Sequence, residues 1–128
     1  MKPIIYSGLD LVEIDRFSRL DTAIRKRFYT RVFTPEELGY IGKFINKAAG
    51  IFAAKEAVAK ALGCGIGPIS WQDINISHTS ENQPIVTLLS RAQEKAKTLH
   101  IEQWSISITH TKKTAAAIAI ATTDSRED

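Results

Sequence analysis

Two pairs of alternating segments constrain this 128-residue chain more than any other feature. Trp71 to Ser77 places Ile74 and Ile76 on one side, and Ile85 to Leu88 follows across a turn at Glu81-Asn82-Gln83-Pro84. Trp104 to Thr109 sets Trp104, Ile106 and Ile108 against Ser105, Ser107 and Thr109, and Ala115 to Ala121 returns after a turn at Lys112-Lys113. Each pair predicts a hairpin, and hairpin strands are antiparallel. Ile4 to Val12, rich in β-branched and aliphatic residues, predicts a further strand that runs into a helix near Asp15.

Helical signals fill the intervals. Arg16 to Tyr29 spaces Phe17, Leu20, Ile24 and Phe28 along one face of an amphipathic helix. Thr34-Pro35-Glu36-Glu37 combines a capping residue, a proline at the first helical position and a Glu three residues after the cap. Asn46 signals the start of a longer helix through Ala48, Ala49, Ala53, Ala54, Ala57, Ala59 and Ala61, which stops at Gly63. Ser90-Arg91-Ala92-Gln93 repeats the capping-box pattern and opens a helix to about Leu99. The order β-α-α-α-β-β-α-β-β predicts a small α+β domain over residues 1–122, a largely antiparallel sheet with packed helices, followed by a polar tail at 123–128.

One cysteine supplies no disulfide framework, and a chain of this size needs none, which fits a reducing cytoplasm. Gly8 and Asp10 come too soon for a signal-peptide core, and no apolar run approaches the roughly 20 residues that span a bilayer. Membrane association and secretion are not expected. Arg16, Arg19, Arg25, Lys26, Arg27 and Arg31 stand against Asp21 alone, a net of +5 in a chain whose total is +3. Such a run is by default a solvated helix face; its sharper reading is a docking surface for an acidic protein. No aromatic-interleaved platform accompanies it, so nucleic acid is not expected as a partner.

Asp10 is flanked by Leu9, Leu11 and Val12, where an unpaired buried carboxylate is costly. It either finds a compensating partner or faces water at a strand edge. On the long helix, at 100° per residue, Glu56 and Lys60 share a face nearly opposite the stripe of Ile51, Ala54, Val58, Ala61 and Leu62. On spacing alone they form an exposed i,i+4 pair. If the strand end meets this helix, Asp10 and Glu56 instead form a hard-cation site suited to Mg²⁺, with Lys60 facing a phosphate that the cation carries. Lys55 falls at the margin of the stripe, so its head must reach water, a partner chain or an anion. The loop Gly63-Cys64-Gly65-Ile66-Gly67 is a helix stop, or a place where backbone N–H groups approach a phosphate; it matches neither a Walker loop nor a dinucleotide fingerprint. Ser107-Ile108-Thr109-His110 ends a strand at a loop, where site residues often lie. One Cys with His78, His100 and His110 widely spaced gives no zinc-ligand pattern.

Gly8-Leu9-Asp10-Leu11-Val12-Glu13-Ile14-Asp15-Arg16, then Phe52-Ala53-Ala54-Lys55-Glu56-Ala57-Val58-Ala59-Lys60-Ala61-Leu62-Gly63, then Gly65-Ile66-Gly67, and finally Ser105 to Thr111 together resemble the holo-acyl-carrier-protein synthase family, the short bacterial 4′-phosphopantetheinyl transferases. The resemblance implies transfer of the phosphopantetheine arm of coenzyme A to a serine of an acidic apo acyl carrier protein, releasing adenosine 3′,5′-bisphosphate, in fatty-acid synthesis. It implies Asp10 and Glu56 as Mg²⁺ ligands, Glu56 and Lys60 as catalytic groups, and Lys60, Gly65, Thr109 and His110 as coenzyme A contacts. It also implies a homotrimer with sites between subunits, and carrier docking at Arg16, Arg25 and Arg27. Glu56, a metal-bound water and His110 are each chemically able to take the serine proton. Ile51 stands where the family commonly carries Arg, and Asn82-Gln83-Pro84 where a Gly-Lys-Pro turn is usual. The competing reading from another class is a non-catalytic basic α+β module that holds an acidic protein or RNA.

Overall fold

A computed structural model describes residues 2–123. Strand β1 (Ile5–Glu13) is followed by α1 (Asp15–Ser18), α2 (Thr22–Val32), α3 (Pro35–Ile41) and α4 (Ile45–Ala61). Then come β2 (Ile74–His78), β3 (Pro84–Leu88), α5 (Ser90–Thr98), β4 (Ile101–His110) and β5 (Thr114–Thr123). The α+β architecture and the antiparallel pairing are those the sequence predicts, but the strands divide into two sheets, β1-β5-β4 and β2-β3. Helix α4 packs against β1, β5, β4, β2 and α3, so the core gathers around it.

Small residues set how closely that helix approaches the sheet. In β1, Gly8 and Val12 are buried while Leu9 and Leu11 face outward, the alternation a half-covered strand requires. In β5, Ala115, Ala117, Ala119 and Ala121 face α4, whose Ala53, Ala54 and Ala57 are fully buried. A Cβ on Gly8 would stand 1.9 Å from Ala57 O and 2.8 Å from Ala61 N, so β1 lies backbone-to-backbone on the last turns of α4. This crossing brings Asp10, two residues along the same strand face, to the exposed side of α4.

Several boundaries differ from the sequence expectation, each for a local reason. The single helix over Arg16–Tyr29 is two, because the Asp21 side chain accepts from Ala23 N at 2.9 Å and starts α2 afresh. Phe17 and Phe28 still meet, with ring centroids 5.7 Å apart, but Ile24 is exposed. Asn46 does not cap α4: the helix begins at Ile45 after Phe44, with no side-chain cap. Ser90 does not cap α5 either; it sits inside the helix at φ +49°. Trp71–Asp73 is a 3₁₀ turn rather than strand, because Ser70 and Asp73 form their own capping box. Thr123 belongs to β5 rather than to a tail: its N–H donates to Ile4 O and its hydroxyl accepts from Ile4 N at 2.8 Å. Residues 124–128 lie outside the described residues. The Thr34 capping box and the left-handed Gly63 (φ +82°) form as the sequence predicts. No described helix is long and apolar enough to cross a membrane.

Candidate functional site

The strand end does meet the helix. Lys60 Nζ donates to Leu9 O at 2.9 Å and to Asp10 Oδ1 at 3.1 Å, drawing β1 and α4 together at one point. The exposed Glu56–Lys60 pair that spacing alone favours is therefore replaced by a Lys60–Asp10 pair across two elements. From Ala48 to Leu62, only Glu56 and Lys60 escape full burial, so the one wet strip of α4 is the strip that carries these groups. Burial first, and the Asp10 carboxylate second, push the Glu56 carboxyl above the usual carboxylate range; Lys60 and Arg16 pull it back. Arg16 also lies over the Phe52 ring, 5.7 Å from its centroid.

Glu56 and Asp10 repel one another even with Lys60 and Arg16 nearby, and a divalent cation between the two carboxylates would relieve that repulsion. The donors are all oxygen, which suits a hard ion such as Mg²⁺. Among the described residues no group of three or more His, Cys, Asp or Glu side chains is gathered. Two protein carboxylates are the usual complement for Mg²⁺, whose remaining positions are taken by water and phosphate.

Other residues singled out in the sequence lie elsewhere. Gly65, at φ +65°, donates its N–H to Ala59 O at 3.1 Å and wraps the loop back onto the end of α4. Thr109 is exposed on the outer face of the three-stranded sheet, paired in register with Ala116. His110 lies at the opposite end of α4, with Nε2 3.3 Å from Asn46 Nδ2. Arg25 lines a groove with Lys26, Tyr29 and Lys43. Arg27, two residues on, is about 200° around the helix, so Arg25 and Arg27 point to opposite sides.

Two features escaped the sequence reading. Of the three destinations open to Lys55, the structure selects an anion, and one within its own chain that the sequence does not single out: the side chain is fully buried and pairs with Glu37 at 2.6 Å. Glu37 also accepts from Thr34 N and Ile76 N, which ties α3, α4 and β2 to one carboxylate. The second is a cavity of ≈ 330 Å³ between the first turns of α4 and the β2–β3 turn, lined in part by Tyr40, Asn46, Lys47, Ile51, His78 and His110. His78 stacks on Tyr40 at 3.9 Å, and its Nδ1 is shut from solvent without a hydrogen-bond partner among the described residues. Burial and then the charge of Lys47 depress the His78 imidazole below its usual value.

Comparison with known proteins points one way. The family model described as the 4′-phosphopantetheinyl transferase superfamily matches residues 7–121. The holo-[acyl-carrier-protein] synthase of Alkaliphilus metalliredigens is 46% identical over 120 residues, 90% of this chain and 96% of its own. That of Moorella thermoacetica is 38% identical over 130 residues, 98% of this chain and 99% of its own. The structure of Helicobacter pylori holo-[acyl-carrier-protein] synthase in complex with coenzyme A superposes with a TM-score of 0.81 at 34% identity, over 90% of this chain and 98% of that one. A Plasmodium yoelii acyl carrier protein synthase with ADP bound gives 0.86 at 26% identity, over 97% and 99%. Matched over residues 7–121 by the family model and 46% identical to a relative covered almost end to end, the chain belongs to the 4′-phosphopantetheinyl transferase superfamily, within its holo-[acyl-carrier-protein] synthases.

Proposed function

We propose that this protein transfers the 4′-phosphopantetheine arm of coenzyme A to a serine of an apo acyl carrier protein, with Asp10, Glu56 and Lys60 as the reacting centre. The observation that carries this is the meeting of an aspartate, a glutamate and a lysine from β1 and α4 on the one open strip of the helix. Asp10 and Glu56 would hold Mg²⁺, which, when bound, neutralises charge on the pyrophosphate oxygens.

The chain's own groups account for the rest. Lys60 has three donors, of which the structure spends two on Leu9 O and Asp10, leaving the third for a phosphate oxygen. The carrier serine Oγ attacks the β-phosphorus, the bond to the bridging oxygen breaks, and adenosine 3′,5′-bisphosphate leaves. Glu56 takes the serine proton; its half-buried position next to Asp10 raises its proton affinity above that of an ordinary carboxylate. Arg16, close enough to act on Glu56, is placed to meet an acidic carrier as the serine approaches.

The nucleotide end of coenzyme A fits the cavity at His110. That cavity is lined on α4 by Asn46 to Ile51, five to ten residues before Glu56 and toward the other end of the helix, and we read the site as completed by a neighbouring copy. The outer face of the β1-β5-β4 sheet offers the contact. Ile5, Leu9 and Leu11 are 69%, 63% and 71% exposed there, with Leu9 in register beside Ile118, a contiguous apolar surface of the kind that marks an interface. We read the assembly as a homotrimer; light scattering that returned the mass of a single chain would exclude it.

Mass spectrometry of apo carrier protein incubated with this protein, coenzyme A and Mg²⁺ tests the reaction, and the added phosphopantetheine should be lost with a chelator. A folded protein that adds no mass to any of several carrier proteins refutes the proposal. Binding of coenzyme A that ignores Mg²⁺, or binding only of acidic protein or RNA, would favour the non-catalytic module instead.

A further inference from the structure

Helix α2 carries Arg25, Lys26, Arg27 and Arg31 and no acidic residue, and Val32 is its one fully enclosed side chain. Phe28 and Tyr29 rest on Phe17 and Phe52, but apolar contact is non-directional and leaves the helix free to slide and turn. Direction comes from its two ends. Asp21 caps the first turn. At the last turn, where carbonyls lack partners within a helix, Gln72 Nε2 donates to Thr30 O at 3.2 Å, Arg31 O at 3.2 Å and Phe33 O at 2.9 Å. The 3₁₀ turn that bears Gln72 is itself fixed. Ser70 and Asp73 close it with their capping box, Asp73 O accepts from Leu89 N at 2.8 Å, and the Trp71 ring lies 5.0 Å from that of Phe52, one helical turn before Glu56. Adjacent residues therefore hold two helices: Trp71 rests on α4, which carries Glu56 and Lys60, and Gln72 holds the end of α2.

We propose that Gln72 is a positioning residue for carrier recognition: it fixes the direction of α2 relative to α4 and so presents the α2 cations to an acidic partner in line with the reacting centre. The inference rests on the carrier reading above. Hydrogen bonds weaken steeply away from their preferred angles, and one amide shared by three carbonyls resists both rotation and translation of the helix end. Without it α2 keeps its aromatic seat, and the chain its fold, but the exposed basic face samples a wider range of directions and meets an acidic surface with fewer charges aligned. Coenzyme A makes no demand on that direction, because Asp10, Glu56 and Lys60 stand on β1 and α4.

Gln72→Met tests this with two readouts, since methionine keeps the length of the half-buried side chain and removes its donors. Hydrogen exchange should quicken by about fivefold at the amides of the last α2 turn, the size of one net hydrogen bond, while α4 exchanges at the parent rate. In transfer assays the KM for apo carrier protein should rise by a similar factor, with the KM for coenzyme A and the kcat at saturating carrier unchanged. A side chain that served stability alone would lower the melting point and the active fraction without moving one KM against the other. Gln72→Lys, which keeps donors for the same carbonyls at a helix C-terminus, should return both readouts to near the parent. In protein that already carries Arg25→Ala and Arg27→Ala, Gln72→Met should move the carrier KM by less than about twofold, because the side chains that it directs are gone. Parent-like exchange in α2, an unchanged carrier KM, an equal rise in both KM values, or the same factor with and without the two arginines overturns the assignment of Gln72. Absence of transfer by the parent protein would instead overturn the proposed function, on which the exchange measurement does not depend.

Discussion

Replacing Lys55 by methionine should unfold this protein more readily than any change at the reacting centre. The Glu37 carboxylate accepts from Thr34 N at 2.9 Å, Lys55 Nζ at 2.6 Å and Ile76 N at 2.7 Å, and both charged side chains are fully enclosed. Methionine preserves the packing of the lysine stem but leaves the carboxylate enclosed with two amide donors and no cation. Breaking a buried pair from one side costs about 3–5 kcal/mol, a large part of the roughly 5–15 kcal/mol that holds a domain folded. In a chain of this length that is a melting point about 10–20 °C lower.

Urea titration at pH 7 and one fixed protomer concentration, without Mg²⁺, reads the loss directly. Glu37→Gln alone should also destabilise, since it leaves the Lys55 ammonium uncompensated, and the double variant should lose much less than the two single losses added together. A carboxylate enclosed without its cation binds a proton more readily than in the unfolded chain. The deficit of Lys55→Met should therefore narrow as pH falls toward the ordinary glutamate range of about 4.3. A loss under about 1 kcal/mol for Lys55→Met, or additive single losses, would show that the pair is not the anchor its geometry makes it.

Glu56→Gln should abolish most turnover yet leave the metal-free protein at pH 7 at least as stable as the parent. The Glu56 carboxyl is raised above its unfolded value, so its stabilising contribution is present below that value and lost as pH rises through the folded one. The variant's advantage should therefore vanish as the parent is acidified, and Mg²⁺ should raise the melting point of the parent only; a large loss of stability in the variant would assign Glu56 to the fold. Gly8→Ala should cost about 3 kcal/mol or more by denaturant titration, because the new methyl would collide with Ala57 O at 1.9 Å and backbone cannot give way; a variant within about 1 kcal/mol of the parent would mean β1 does not lie on α4 as described. Arg16→Glu should raise KM for the carrier protein without moving that for coenzyme A. Because Arg25 and Arg27 face opposite ways on α2, only one of Arg25→Glu and Arg27→Glu should do the same; equal effects would place the carrier across the end of the helix rather than along one side.

How much of this was legible in the sequence depends on the distance over which each signal acts. The hairpins, the Thr34 capping box and the Gly63 stop rest on neighbours within a few residues, and they formed as expected. The break at Asp21 was hidden because the apolar spacing of Phe17 and Phe28 runs across it, and the two rings meet in either arrangement. The projection of α4 showed one apolar stripe, yet the helix is enclosed almost all round, since alanines on its other sides admit β5 and β1 as closely as leucines would admit water-free packing. Glu37 and Lys55 lie eighteen residues apart on different helices, and nothing in either neighbourhood announces the other. The cavity was invisible for the same reason: Tyr40, Lys47, His78 and His110 come from four separate places in the chain.

The proposed reacting centre sits between these cases, and the reason lies in one glycine. Read residue by residue, Glu56 and Lys60 were a surface pair and Asp10 a strand-edge carboxylate, or all three a hard-cation site if the strand end met the helix; the family motifs chose between these. The structure supplies the physical link that the motifs encode. Gly8 removes the side chain that would hold β1 away from Ala57 and Ala61, and the alternation of the strand then turns Asp10 toward the same helix, where it meets Lys60. Lys60 closes the contact through Leu9 O and Asp10 Oδ1, and the strip it leaves open is the only part of the α4 midsection that water or a substrate can reach. A larger residue at position 8 would thus separate the two carboxylates before it disturbed either one, so activity should fall further than stability alone accounts for in Gly8 variants that still fold.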